Sequence, residues 1–287
     1  MASNPVFDRI DKESRQGYAG FGRPGAGRAA TPGRAPTDSL SAQQLQDLYN
    51  QPAAGPVQTR RLTMDDVVMK TAGLFVIVLA GAAVGWTLFP SLGLVLILGG
   101  IALTLVLGLV IALKKTVSVP MIVLYAVVEG LFVGAISNGY SLAFDPPEQT
   151  DVFHGIVAQA VLGTLSVFAG MLLAYRTGLI KVTEKFRRIV TMAVIGYAIF
   201  ALVNFLYAVV GNHAFGIGGT GALGIGISLF AIGLASASLA VDFDSIDRAI
   251  RAGAPERYSW LLAHGLIVTL VWLYLEVLRL LGRLRSN

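Results

Sequence analysis

Two stretches of this chain contain no Asp, Glu, Lys or Arg: residues 71–113, 43 in a row, and residues 189–241, 53 in a row. About 20 apolar residues span the hydrocarbon of a bilayer as a helix, so each stretch is long enough for two spans. Soluble domains do not tolerate such runs, since an ordinary globular chain is about a quarter charged. This one is 14% charged and 55% apolar. The chain has no cysteine, which removes disulfides, thiolate metal sites and thiol nucleophiles together.

The front of the chain has a different composition. Six of the eleven prolines fall before residue 62, mixed with Gly, Ala, Ser and Arg in GYAGFGRPGAGRAATPGRAP. Such a segment buries too little apolar surface to offset its ordering entropy, and residues 1–62 are expected to be a disordered cytoplasmic tail. It has no apolar core of the signal-peptide kind. Only TDSLSAQQLQDLYN carries loosely helical apolar spacing, fit for a short docking helix or a plain linker. Thr63 with Asp66 three residues on reads as a capping box that opens the first long helix.

Residues 63–287 read as an all-α integral membrane domain of seven apolar segments. The first two are about 67–89 and 91–113, divided at Phe89-Pro90-Ser91 because proline halts a helix. The others are about 119–143, 153–175, 189–210, a sixth from near Thr220, and a last from Tyr258 to about Leu281. This last segment is interrupted by Glu276 and Arg279, so that it reads either as a span or as a re-entrant segment. Thirteen Lys and Arg lie on alternate connections, from Arg60 and Arg61 to Arg248, Arg251 and Arg257, and none on the connections opposite. By the positive-inside rule the amino terminus is cytoplasmic. Arg279, Arg283 and Arg285 at the far end disagree with that rule. The same distribution makes topology, rather than nucleic-acid binding, the explanation of the net charge of +5.

Several motif matches fail on context. Gly219, Gly221 and Gly224 fit a dinucleotide fingerprint but lack the strand that must precede it. The run DFDSID lacks the turn glycine and the final Glu of a calcium loop. His154, His213 and His264 are isolated, so no metal site and no cofactor is expected. No feature singles out a catalytic pair, and the chain is not read as an enzyme. Gly81-xxx-Gly85 and Gly130-xxx-Gly134 are expected to let helices pack closely.

Four carboxylates in or beside apolar segments remain: Glu129, Asp242, Asp244 and Glu276. Acids at such depth cost about 2.5–3.5 kcal/mol on insertion scales and usually face a bundle interior or an aqueous path. Each has a plainer reading. Asp242 and Asp244 could be solvated beyond a sixth helix ending near Ala240, Glu276 could pair with Arg279 at i+3, and Glu129 could hydrogen-bond a neighbouring helix.

The segments LAVDFDSI and VWLYLEVLRLL, with SNPVF, TMDDVVMKTA, EGLFVGAIS and QAVLGTLSVFAG, resemble the Bax inhibitor-1 family, in a bacterial branch with a front extension. The resemblance is placed on residues 63–287. It implies seven helices with the last one central, in the inner membrane, and a pH-sensitive calcium leak with Ca2+ as the transported ion. It also implies an acid late in the sixth helix paired with one in the seventh, carried over as Asp242 and Glu276; Glu replaces the usual Asp at the second position. The alternative it implies is a non-conducting regulator that binds a membrane protease or another membrane protein. Geometry strains the pair: about a reversal at Gly253–Pro255, the two acids differ in depth by about 15 Å if both helices are unbroken. They meet only if ERYSWLLAHG lies in the interface and the last helix effectively begins near Gly265.

Overall fold

A computed structural model describes residues 60–114, 116–146, 154–211 and 215–286. Residues 1–59 of the expected tail, the residues of DPPEQTD beyond Pro146, and His213 lie outside them; the last three residues of that tail, 60–62, are instead packed on the connection between the last two helices, with Leu62 buried. Six helices account for the fold: α1 (Met64–Leu113), α2 (Val119–Phe144), α3 (Ile156–Arg176), α4 (Glu184–Gly211), α5 (Ala222–Arg251) and α6 (Ser259–Arg285), with a 3-10 turn Glu256–Tyr258 leading into α6. All six are long and apolar enough to cross a membrane. The capping box opens α1 as expected: the Asp66 amide donates to Thr63 Oγ1 at 3.3 Å and the Thr63 amide to Asp66 Oδ2 at 3.0 Å.

The expected break at Phe89-Pro90-Ser91 is absent, and α1 is helical through Pro90. It is nevertheless not straight. Its first arm packs along α2 in the same direction, Val78 beside Gly130 and Ala82 beside Gly134. Its second arm packs along α2 in the opposite direction, Gly100 against Phe132 and Gly108 against Tyr125. A straight helix would separate Val78 from Gly108 by about 45 Å, while their partners Gly130 and Tyr125 stand about 7.5 Å apart along α2. The helix therefore folds back on itself near Pro90. Proline removes the donor that the Trp86 carbonyl would have received four residues earlier, and Asn138 Nδ2 of α2 replaces it at 3.0 Å. Thr87 and Ser91 turn their hydroxyls onto the carbonyls of Val84 and Leu88, a back-bonding that bends helices.

The last helix is the hub. Of its most apolar stretch 78% is buried, against 6 to 56% for the other five helices. It packs on α1, α2, α3 and α5, and meets α4 through Tyr197. It begins at Ser259, not near Gly265, and Tyr258, Ser259 and His264 are buried in the bundle rather than laid in an interface.

These contacts sort the connections onto two faces. The near face gathers the start of α1, tied to the α5–α6 connection by Leu62 N–H to Ala254 O at 2.8 Å. It also holds Lys114, whose Nζ meets Met121, and the α3–α4 connection, whose ends meet α5 through Tyr175 with Asp247 and Glu184 with Arg248. The far face gathers Asp145, His154, Phe215 and the end of α6. The three arginines that break the charge rule are all engaged there. Arg279 pairs with Glu276 at 3.0 Å and Arg285 with Asp145 at 2.5 Å. Arg283, fully buried, donates to the carbonyls of Gly224 and Phe215 and to Ser228 Oγ.

Candidate functional site

The sixth expected segment does not stop near Ala240. Helix α5 continues to Arg251, so Asp242 and Asp244 are helical and buried rather than solvated at a helix end.

Asp242 lies inside the bundle, 5% exposed, and its hydrogen bond comes from Thr269 Oγ1 of α6 at 2.7 Å. No Lys or Arg among the described residues bonds it. Glu276, expected beside it, is two helical turns further along α6, about 10 Å beyond Thr269. Glu276 has its own donors: Tyr197 Oη of α4 at 2.6 Å, Arg279 Nη1 at 3.0 Å to both oxygens, and Trp272 Nε1 at 3.3 Å. The unbroken α6 thus leaves the depth mismatch in place, and the two acids share no hydrogen bond. Opposite Asp242 stands a neutral hydroxyl, and Glu276 takes the plainer i+3 reading, strengthened by a tyrosine that spacing along one helix could not reveal.

Asp244, one half-turn beyond Asp242, belongs to an ion network at the near face. Arg187 of α4 donates to Oδ2, as does Arg248 Nε at 2.8 Å, and Arg248 reaches on to Glu184 at 2.5 Å. Arg187 is itself buried. Read as one of many basic residues on a connection, it carried no signal of this role in the sequence.

Glu129 of α2 is buried one turn after Tyr125. The Tyr125 ring meets His264 of α6 edge-on at 4.5 Å, and two turns past Glu129 Ser137 Oγ meets Tyr274 Oη at 2.6 Å. Interpolating between those contacts puts Glu129 within about a turn of Thr269 in depth. Two buried acids without a basic partner, Glu129 and Asp242, therefore lie at similar depth around α6. The sequence offered them as separate candidates, since nothing in it relates α2 to α5. Among the described residues no group of three or more His, Asp or Glu could hold a metal ion.

A bundle of apolar helices around a buried central one, with unpaired acids in its interior, defines a multi-pass membrane protein. The sequence model of the Bax inhibitor 1 like family matches residues 4–286, and the chain belongs to that family. The match begins well before residue 63, so it takes in the front segment as well. No curated protein and no solved structure matches the chain.

Proposed function

We propose that this protein is an inner-membrane cation leak channel or regulator, with Ca2+ as the ion, that crosses the bilayer seven times with its near face cytoplasmic. Counting the two arms of α1 as separate passes gives seven. The near face holds the basic connections, and the far-face arginines are consumed by internal partners, which removes their claim on topology.

One observation carries the functional reading: Asp242, with Glu129 at similar depth, is a carboxylate kept inside the bundle with only a hydroxyl to hold it. Such residues are expensive in a membrane and mark ion or proton pathways. A path along α6 would pass Asp242 and meet the Arg187–Asp244–Arg248 network at the near face, where two guanidiniums on one carboxylate hold α4 to α5 as a closure. Sensitivity to pH then rests on Asp242 as a single acid, not on a proton shared with Glu276. Protonation weakens its attraction for a cation, and ionisation restores it.

The test is Ca2+ flux into proteoliposomes across acid to neutral pH. Wild type should conduct, and Asp242→Asn, folded as judged by gel filtration, should lose both flux and its pH dependence. Wild type that reconstitutes well and conducts at no pH overturns the reading.

A further inference from the structure

Between the first arm of α1 and helix α3, on the near half of the bundle, lies a cavity of about 760 Å3, within the range of ligand pockets. The two helices form its side walls and scarcely touch each other, so the cavity is a cleft open sideways, with Val68 and Leu165 exposed at its lips. Its floor is apolar, made by Phe168, Phe243, Leu266 and Leu270. A second, almost wholly apolar cavity of about 270 Å3 abuts it, sharing Phe75, Leu165 and Leu270, and carries the slot toward mid-bundle.

The mouth differs from the floor. Arg176, Lys181 and Arg251 line it and are exposed, and none is ion-paired among the described residues. The two acids at the same mouth are occupied, Asp247 by the Tyr175 hydroxyl at 2.8 Å and Asp244 by Arg187 and Arg248. Arg251 Nε also bonds the Asp247 carbonyl at 3.2 Å, and Asp247 keeps its charge, so three cations stand against one carboxylate without a basic partner and the mouth is net positive. It presents positive charge at the membrane surface, above an apolar slot that opens to the acyl chains.

We propose that the α1–α3 cleft is a binding site for one anionic phospholipid, its phosphate held by Arg176, Lys181 and Arg251 and one acyl chain lying in the apolar slot. Basic pockets between membrane helices recognise anionic headgroups by this charge complementarity. The site is independent of whether the bundle conducts.

Native mass spectrometry of the full chain in detergent, titrated with phosphatidylglycerol or with phosphatidylcholine of the same chains, reads it directly. Wild type should hold phosphatidylglycerol by at least about five-fold over phosphatidylcholine, a modest expectation at about 1 kcal/mol for each cation near a surface. R176Q/K181Q/R251Q, all on exposed side chains, should bring the two lipids to parity. Val68→Trp or Leu165→Trp, at the exposed lips, should lower occupancy by both lipids. Soluble glycerol phosphate should neither bind nor displace the lipid. Equal binding of the two lipids by wild type, a preference that survives the triple variant, or binding of glycerol phosphate as tight as the lipid's would each overturn the proposal.

Discussion

Asn138 donates its side-chain amide, at 3.0 Å, to the carbonyl of Trp86, the one that Pro90 leaves without its helical donor. This bond lets α1 turn back on itself inside the bundle. Asn138→Leu should cost about 1–3 kcal/mol, the penalty for a buried carbonyl left unsatisfied, read as a lower midpoint of thermal unfolding in detergent. Pro90→Ala should relieve that dependence, so that the double variant loses less than the sum of the singles.

The arm of α1 that follows α2 is held by close backbone approach. A Cβ on Gly134 would stand 2.0 Å from the Ala82 carbonyl oxygen, and one on Gly85 would stand 2.1 Å from that of Leu131. Gly134→Ala should therefore cost about 1–3 kcal/mol by overpacking. Gly99→Ala, where a methyl meets nothing within 4 Å, should be neutral in the same unfolding assay.

Asp242 and Glu276 have separate partners, and their substitutions should differ in kind. Asp242→Asn keeps the Thr269 bond and removes a charge that no cation balances, so stability should hold or rise. Glu276→Gln removes the charge that balances Arg279, whose side chain is 35% exposed, so it should destabilise the protein by less than the roughly 3–5 kcal/mol of a broken, fully buried pair. The double variant should be additive within about 0.5 kcal/mol, as for sites without a shared partner. Marked non-additivity in unfolding or in the pH profile of flux would show that the two acids share a proton after all.

The near-face network is asymmetric. Asp244→Asn leaves the buried Arg187 with no carboxylate partner among the described residues, whereas Arg187→Gln leaves Asp244 still paired with Arg248. The first should destabilise the protein by about 3 kcal/mol and the second by clearly less. If the network closes an ion path, Arg187→Gln should also raise basal flux in proteoliposomes.

Orientation is open to single-cysteine labelling, since the chain has no native Cys. Thr177→Cys, on the near face after α3, should resist an impermeant thiol reagent in intact cells and react after lysis. Labelling in intact cells would reverse the orientation.

Much of this fold is legible in the residues because a bilayer imposes a simple rule: long charge-free runs become helices, and proline and charge mark their ends. The capping box at Thr63, the glycine pairs in the first and third apolar segments, and the bounds of α2 and α3 follow from local chemistry. What sequence could not supply is lateral: which helix faces which, and at what depth. It divided the first two segments at Pro90, where the chain does reverse, but could not show that the helix continues through the reversal, because the rescuing donor, Asn138, is 52 residues away from the carbonyl it serves. The pairing of Asp242 with Glu276 came from the family resemblance against the depth mismatch, while Tyr197, which holds Glu276, sits in a charge-free run where one tyrosine looks like any other. Arg187 was hidden in the same way, as one cation among five before the fifth segment.

The polar load of α6 has a consequence for biogenesis. Glu276, Arg283 and Arg285 find their partners on α4, on the residues leading into α5 and at the end of α2, all of them made earlier in chain order. Alone in lipid, a helix carrying Glu276, Arg279, Arg283 and Arg285 inserts poorly. Its entry is therefore coupled to the prior assembly of the surrounding helices. The central helix arrives as a keystone into a ring already waiting for it, and a defect in any of its partners would first appear as failed membrane integration rather than as a folded but inactive protein.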